Sequence, residues 1–248
     1  MKKGFIALWA VFILVVFFKE CFIGTLPALA VFLWSAVLSV WLLIKNGMPS
    51  KKGRIVSAVL TAIVLITGLT VHKNGNLGTV LFVSTTLLSS LAVISVSEKF
   101  EEVKLLRSES GISILKSLLI GAAVAVPLCA VNTFFMSKNT PVDMVFGLSR
   151  ILGALHPGIA EDMAFRAVFM AFCVYIAGGK MTKWQTFTMY VMMTQPHGLM
   201  HDMDTFSCVM AAIVFGIPFA LLQRKRDVSS AMFSHFLVDA VRFVLFGR

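Results

Sequence analysis

The sequence predicts an all-α fold, a polytopic transmembrane bundle of eight or nine helices, on three observations. Of 248 residues 58% are hydrophobic and only 14% are charged, where a soluble domain carries about 25% charged residues. The mean hydropathy is +0.89. The apolar residues fall in continuous runs near the length of a membrane span, about 20 residues, without the period-two alternation of a barrel strand.

The runs cover residues 4–18, 21–44, 55–71, 77–96, 111–135, 151–178, 184–201, 205–222 and 228–246. The first is short. With Lys2 and Lys3 ahead of it and Ala28-Leu29-Ala30 behind, it has features of a signal peptide, but Lys19 and Glu20 interrupt it and a second run follows at once, which favours an uncleaved anchor. Basic residues cluster between runs: Lys45, Lys51, Lys52 and Arg54; Lys180 and Lys183; Arg224, Lys225 and Arg226. With nine spans and an N-terminus inside, all three clusters fall on the cytoplasmic side, as the positive-inside rule requires, which points to a multi-pass protein of the plasma (cytoplasmic) membrane.

The net charge of +10 is accounted for by these clusters, which suit anionic headgroups, so the lipid bilayer is the expected partner and nucleic acid is not. Cys21, Cys129, Cys173 and Cys208 are far apart and lie in apolar surroundings, without the spacing of a disulfide framework or a zinc knuckle.

Residues 97–110 form the most charged stretch, mixing Glu98, Glu101, Glu102 and Glu109 with Lys99, Lys104 and Arg107. They are expected as a solvated or interfacial helix. This linker divides the chain into an N-terminal part, 1–110, with no ionisable residue deep in a span, and a C-terminal part, 111–248, where the chemistry is concentrated.

Ionisable side chains within a span are costly unless paired or facing a wet cavity, so they are functional candidates. Three groups qualify. In Glu161-Asp162-Met163-Ala164-Phe165-Arg166 the helical spacing lets Asp162 pair with Arg166, while Glu161 points about 100° away. In His197-Gly198-Leu199-Met200-His201 two imidazoles four apart share a helical face. In His235-Phe236-Leu237-Val238-Asp239 the carboxylate is placed to fix the imidazole's tautomer. Each group alone has a plainer reading as a structural ion pair or a helix-end histidine; their combination on neighbouring helices is what singles them out. Asp202 and Asp204 read as solvated loop residues, and His72 and His156 as segment-end histidines.

Together these residues resemble the CAAX-protease and bacteriocin-processing (CPBP, or Abi) family of intramembrane endopeptidases, whose motifs are EExxxR, FxxxH and HxxxN or HxxxD. Glu161, Asp162 and Arg166 match the first, with Asp in place of the second Glu; His201 matches the second, with His197 where the family has Phe; His235 and Asp239 match the third. The run Phe215-Gly216-Ile217-Pro218-Phe219-Ala220-Leu221-Leu222, followed by three basic residues, is similar to the family's approach to that last motif. The resemblance covers roughly residues 115–247. It implies a metal-independent protease with a peptide or protein substrate, in which Glu161 activates water, His201 holds that water and His235, oriented by Asp239, stabilises the oxyanion. Asp162, Arg166 and His197 have supporting roles.

Two other readings use the same residues. Glu161, His197, His201 and His235 could supply zinc ligands, although HGLMH lacks the Glu of HExxH. A membrane protein that binds a peptide without cutting it, as in bacteriocin self-immunity, or a proton-relaying transporter, would also bury such charges.

Overall fold

The computed structural model describes residues 2–21, 26–71, 76–108, 110–138, 140–201 and 203–247. His72, Glu109 and Asp202 lie outside the described residues. The helices are α1 (Lys2–Cys21), α2 (Leu26–Asn46), α3 (Lys51–Val71), α4 (Leu77–Ser97), α5 (Gly111–Ser137), α6 (Leu148–Glu161), α7 (Val168–Ala177), α8 (Lys183–Leu199), α9 (Thr205–Ala211), α10 (Ile217–Lys225) and α11 (Val228–Phe246). A π-turn, Asp162–Ala167, joins α6 to α7, and a second, Ala212–Gly216, joins α9 to α10, so eleven α-helices form nine rods among the described residues. There is no strand among them, and seven helices are long and apolar enough to cross a membrane. The protein is an all-α, multi-pass membrane bundle.

Three expectations about elements change. The first helix is not short: α1 continues through Lys19 and Glu20, because a lysine at a helix end can reach a polar group, and Lys19 Nζ donates to the carbonyl of His201 at 2.5 Å. The described linker residues beyond α4, 98–108, are not helical. They are held irregular because Val103 is buried in the core, and because the carbonyls of Lys104 and Leu105 accept the first backbone N–H groups of α11, from Val228 and Ser229, which have no partner within that helix. His156 is not at a segment end: it lies inside α6, buried, with Nδ1 3.1 Å from the Val64 carbonyl and its ring edge-on to Phe82.

The loops at 45–50, 98–107, 175–179 and 224–229 gather at one end of the bundle. Ser50 donates to the Glu98 carboxylate, Lys99 to the Asn46 carbonyl, Tyr175 to the Lys45 carbonyl and the Arg107 backbone N–H to Asp227. This is the arrangement that nine alternating passes demand, and it collects the three basic clusters on one face.

The two parts on either side of residue 110 share one core. Val31, Leu42, Val64, Val93 and Val96 from α2–α4 pack with Ile159, Phe165, Phe169, Met189 and Met193. The central rod, α6 to α7, is sheathed on all sides, and every residue from Asp162 to Cys173 is buried.

Close backbone approaches set the helix register. Between apolar helices in lipid, glycine allows the contacts that packing needs. A Cβ on Gly121 of α5 would lie 2.6 Å from the Ser230 carbonyl, and one on Gly158 of α6 would lie 3.0 Å from Phe236 Cβ and 3.1 Å from Phe236 Cα and N. Gly121 is ten residues into α5, whereas Ser230 is only two into α11. At about 1.5 Å per residue, α11 therefore begins about 12 Å deeper than α5. That stagger brings His235, seven residues into α11, to about 22 Å from the level where α5 begins. His197, fourteen residues into α8, and Glu161, sixteen before the end of α7, are about 21 and 24 Å from the same end. Three motifs at unequal distances from their helix starts thus share one depth.

Gly158→Ala should lower the unfolding temperature in detergent, at a cost of about 1–3 kcal/mol, and Phe236→Ala should fail to rescue it because the three close atoms, Cβ, Cα and N, are all kept in alanine. Gly111→Ala, with nothing within 4 Å of its Cβ position, is the neutral control. In a cysteine-free background, cysteines introduced at Lys52 and Lys180 should be labelled by an impermeant maleimide from the same side of the membrane, and one at Lys138 from the opposite side.

Candidate active site

Arg166 is the hub of the polar cluster. It is 1% exposed, and Asp162, one helical turn earlier, is 0% exposed. Arg166 Nη1 donates to Asp162 Oδ1 at 2.7 Å, as the spacing predicts. The π-turn that contains both residues closes with an i→i−5 bond from Val168 N–H to the Met163 carbonyl. Such turns recur at functional sites because they turn side chains away from the faces of a regular helix. The face of the guanidinium rests on Phe219, 5.0 Å from the ring centre.

Arg166 Nε is buried without a hydrogen-bond partner among the described residues, and it is Nη2 that fixes the protonation pattern of the neighbouring His197. Nη2 lies 3.0 Å from His197 Nδ1. Arginine can only donate, so this Nδ1 is the acceptor and the proton of neutral His197 sits on Nε2. That proton points to Glu161 Oε2, at 2.6 Å. Arg166 therefore dictates the tautomer with which His197 donates to the Glu161 carboxylate. Phe165 packs parallel to His197, at 6.1 Å between ring centres with planes 6° apart, and holds the imidazole in this orientation.

His235 is held by a different acid from the one its sequence motif suggests. Its Nδ1 lies 3.0 Å from Asp162 Oδ2, so Nδ1 carries the proton and donates to Asp162. Arg166 Nη1 approaches the same nitrogen at 3.2 Å, but Asp162 Oδ2, which can only accept, is the nearer partner. Asp239 stands instead opposite Nε2, at 3.4 Å, and is bound by Arg242 at 3.0 Å. Asp162 thus ties Arg166 to His235 and sets the ring's tautomer, while Asp239 and Glu161, the latter at 3.7 Å, face the nitrogen left for chemistry. Phe219 packs on this ring too, at 4.9 Å.

His201 is in a different position. The helix stops at Leu199, where Met200 and His201 close back onto His197 and Gly198 in a tight turn, so the two histidines do not share a helical face. Pro196 and Gly198 bring this about: a Cβ on Gly198 would lie 2.8 Å from the Cys208 carbonyl, so the chain turns directly against α9. His201 is exposed and no hydrogen bond from its ring is formed among the described residues; its ring meets that of His197 edge-on at 5.1 Å. His197, rather than His201, bonds Glu161. Asp204 caps α9 through the Ser207 N–H and hydroxyl, a structural task.

The cluster is nearly closed. The Glu161 side chain is 15% exposed and Arg242 is 32% exposed, which places the opening on the side of His201 and Arg242, away from the basic end. Glu161 and His197 lie at hydrogen-bond distance, with the other imidazole nitrogen turned to a cation, so the pair is not disposed to share a metal ion. Among the described residues no three His, Cys, Asp or Glu side chains converge as a metal-binding group. Sequence reasoning missed Phe219, which lies within the noted 215–222 run, and Arg242, whose spacing of three from Asp239 was the available signal.

Removing Arg166 would leave Asp162 buried without its cation. Arg166→Ala is expected to destabilise the protein by about 3–5 kcal/mol, and Asp162→Leu with Arg166→Met by clearly less, measured by equilibrium unfolding in mixed detergent micelles.

No family model, no curated protein and no solved structure matches this chain.

Proposed function

We propose that the protein is an intramembrane endopeptidase of the CPBP type, which hydrolyses a peptide bond of a membrane-associated peptide or protein with water activated by Glu161. The observation that carries this reading is the Glu161 carboxylate, partly buried in the bundle, hydrogen-bonded by His197 at 2.6 Å and facing His235 Nε2 at 3.7 Å. A carboxylate and an imidazole that converge from different helices, each oriented by further groups, are the pair that peptide hydrolysis needs.

In this mechanism Glu161 takes a proton from water as the oxygen attacks the scissile carbonyl. His235 stabilises the oxyanion as its Nε2–H donor, and that form carries a positive charge because Nδ1–H is already committed to Asp162. The surroundings suit an imidazolium: Glu161, Asp162 and Asp239 outnumber Arg166 and Arg242 by one negative charge. Glu161 then passes its proton to the leaving nitrogen as the C–N bond breaks, which regenerates the carboxylate. His197 keeps Glu161 in place and in its ionised form. His201, at the mouth, would contact the substrate rather than the attacking water. The basic clusters on one face favour a cytoplasmic location for that face and for the N-terminus, with the site opening towards the opposite side.

Cleavage of a quenched fluorescent peptide library by detergent-purified protein tests the proposal. Glu161→Gln and His235→Ala should abolish turnover without loss of folded protein, and His197→Ala should reduce kcat by about 10²–10⁴-fold. His201→Ala should retain kcat within about tenfold and affect chiefly KM. Activity should survive a chelator. An active Glu161→Gln would sink the assignment, and a folded wild type that binds peptides without cutting any would replace it with a binding or self-immunity role.

A further inference from the structure

The stagger that sets the depth of the site also leaves a recess at the basic end. Because α11 starts deep, the α10–α11 turn lies below the ends of the neighbouring helices, and the irregular 98–108 segment arches across it. Between them is a cavity of about 310 Å³ lined by Glu101, Glu102, Lys104, Arg107, Gln223, Arg224, Lys225 and Arg226. This is the lower end of the size range of small-ligand pockets. Five cations against two acids leave the lining with a surplus of three positive charges.

Helix-end cations have an ordinary explanation, since Arg224 and Lys225 occupy the last turn of α10, where they offset the helix dipole. Two observations go beyond it. Gln223 forms part of the wall, is 2% exposed, and both its amide nitrogen and its amide oxygen lack a hydrogen-bond partner. A buried amide left unpaired is costly, and a ligand that supplies both an acceptor and a donor would recover that cost. The cations are also unevenly committed. Arg226 is bound to Ser113, Ser117 and Asp227, and Arg107 donates to the Lys225 carbonyl, whereas the side chains of Lys104, Arg224 and Lys225 make no hydrogen bond or ion pair among the described residues. Three uncommitted cations and an unpaired amide therefore line one cavity.

We propose that this recess binds a phosphate group, either as the free anion or as the headgroup of an anionic lipid. The phosphate oxygens accept from Lys104, Arg224, Lys225 and the Gln223 amide, and a hydroxyl of a protonated phosphate or of a glycerol headgroup donates to the Gln223 carbonyl oxygen. Binding there ties the 98–108 segment to the end of α10, beside the turn that leads into α11, the helix that carries His235.

Calorimetric titration of the full-length protein in neutral maltoside micelles tests the site, with inorganic phosphate in one arm and short-chain phosphatidylglycerol in the other. The expected result is saturable binding of one equivalent in at least one arm, weakened at least tenfold by Gln223→Leu and by Lys104→Gln. Binding in the phosphate arm identifies the free anion as sufficient, and binding in the lipid arm alone identifies the headgroup. No saturable binding in either arm, or affinity within threefold of wild type in both variants, would overturn the proposal. Should Gln223→Leu not fold, Lys104→Gln combined with Lys225→Gln, both on side chains without partners, carries the same test with the same outcomes.

Discussion

A guanidinium cannot escape its charge by releasing a proton, so an arginine placed in the interior of a membrane bundle must be matched by groups around it. Arg166 is matched completely enough to organise the whole site. Asp162 answers its charge, His197 accepts from its second terminal nitrogen, and Phe219 lies under its face. Each of these partners is then oriented by the same contact. Because His197 must accept at Nδ1, it must donate at Nε2. Because Asp162 spends one oxygen on Arg166, its other oxygen is directed to His235. A single obligatory cation thereby fixes two imidazole tautomers and leaves Glu161 and His235 Nε2 facing each other.

Such an arrangement is compatible with the bilayer only if the helices that carry it come close and at the correct heights. Gly158 lets α6 and α11 touch through their backbones, one turn before Asp162 and one residue after His235. The buried start of α11 is made tolerable by a set of polar contacts: Asp227 caps it through Ser230 and accepts from Ser117 and the Arg107 backbone N–H, while the linker carbonyls accept its first N–H groups. These contacts allow the helix to begin below the level of its neighbours without leaving its end unsatisfied. The irregular linker and the deep helix start are two parts of one solution, and the register of the polar cluster depends on both.

The sequence made the bundle legible because lipid imposes a simple rule, that apolar runs of sufficient length become helices, and all nine runs are rods. It made the Asp162–Arg166 pair legible because i,i+4 geometry is local. What it hid is not local. The pairing of His235 with Asp162, in addition to its contact with Asp239, crosses from α11 to the π-turn, and a π-turn leaves no distinct sequence pattern. The exchange of His197 for His201 beside Glu161 follows from where α8 ends, and Pro196 with Gly198 signalled that end only weakly, because a proline is tolerated within a membrane helix. The linker's mixture of charges resembled an amphipathic helix, yet Val103 and two backbone carbonyls were worth more buried.

The position of His197 bears on how the motif residues divide their work. In an HxxxH pattern both imidazoles are equivalent on paper, and a family likeness favours the second. Geometry breaks the tie through Arg166, which reaches only the first. An imidazole whose Nδ1 lone pair accepts from arginine and whose Nε2–H is donated to a carboxylate has no free nitrogen on which to receive a proton. His197 is therefore suited to donate to a carboxylate and hold it ionised, and unsuited to take a proton itself. Under the proposed hydrolysis, that leaves Glu161, the one acid of the three with no arginine bound to it, as the group to exchange a proton with water.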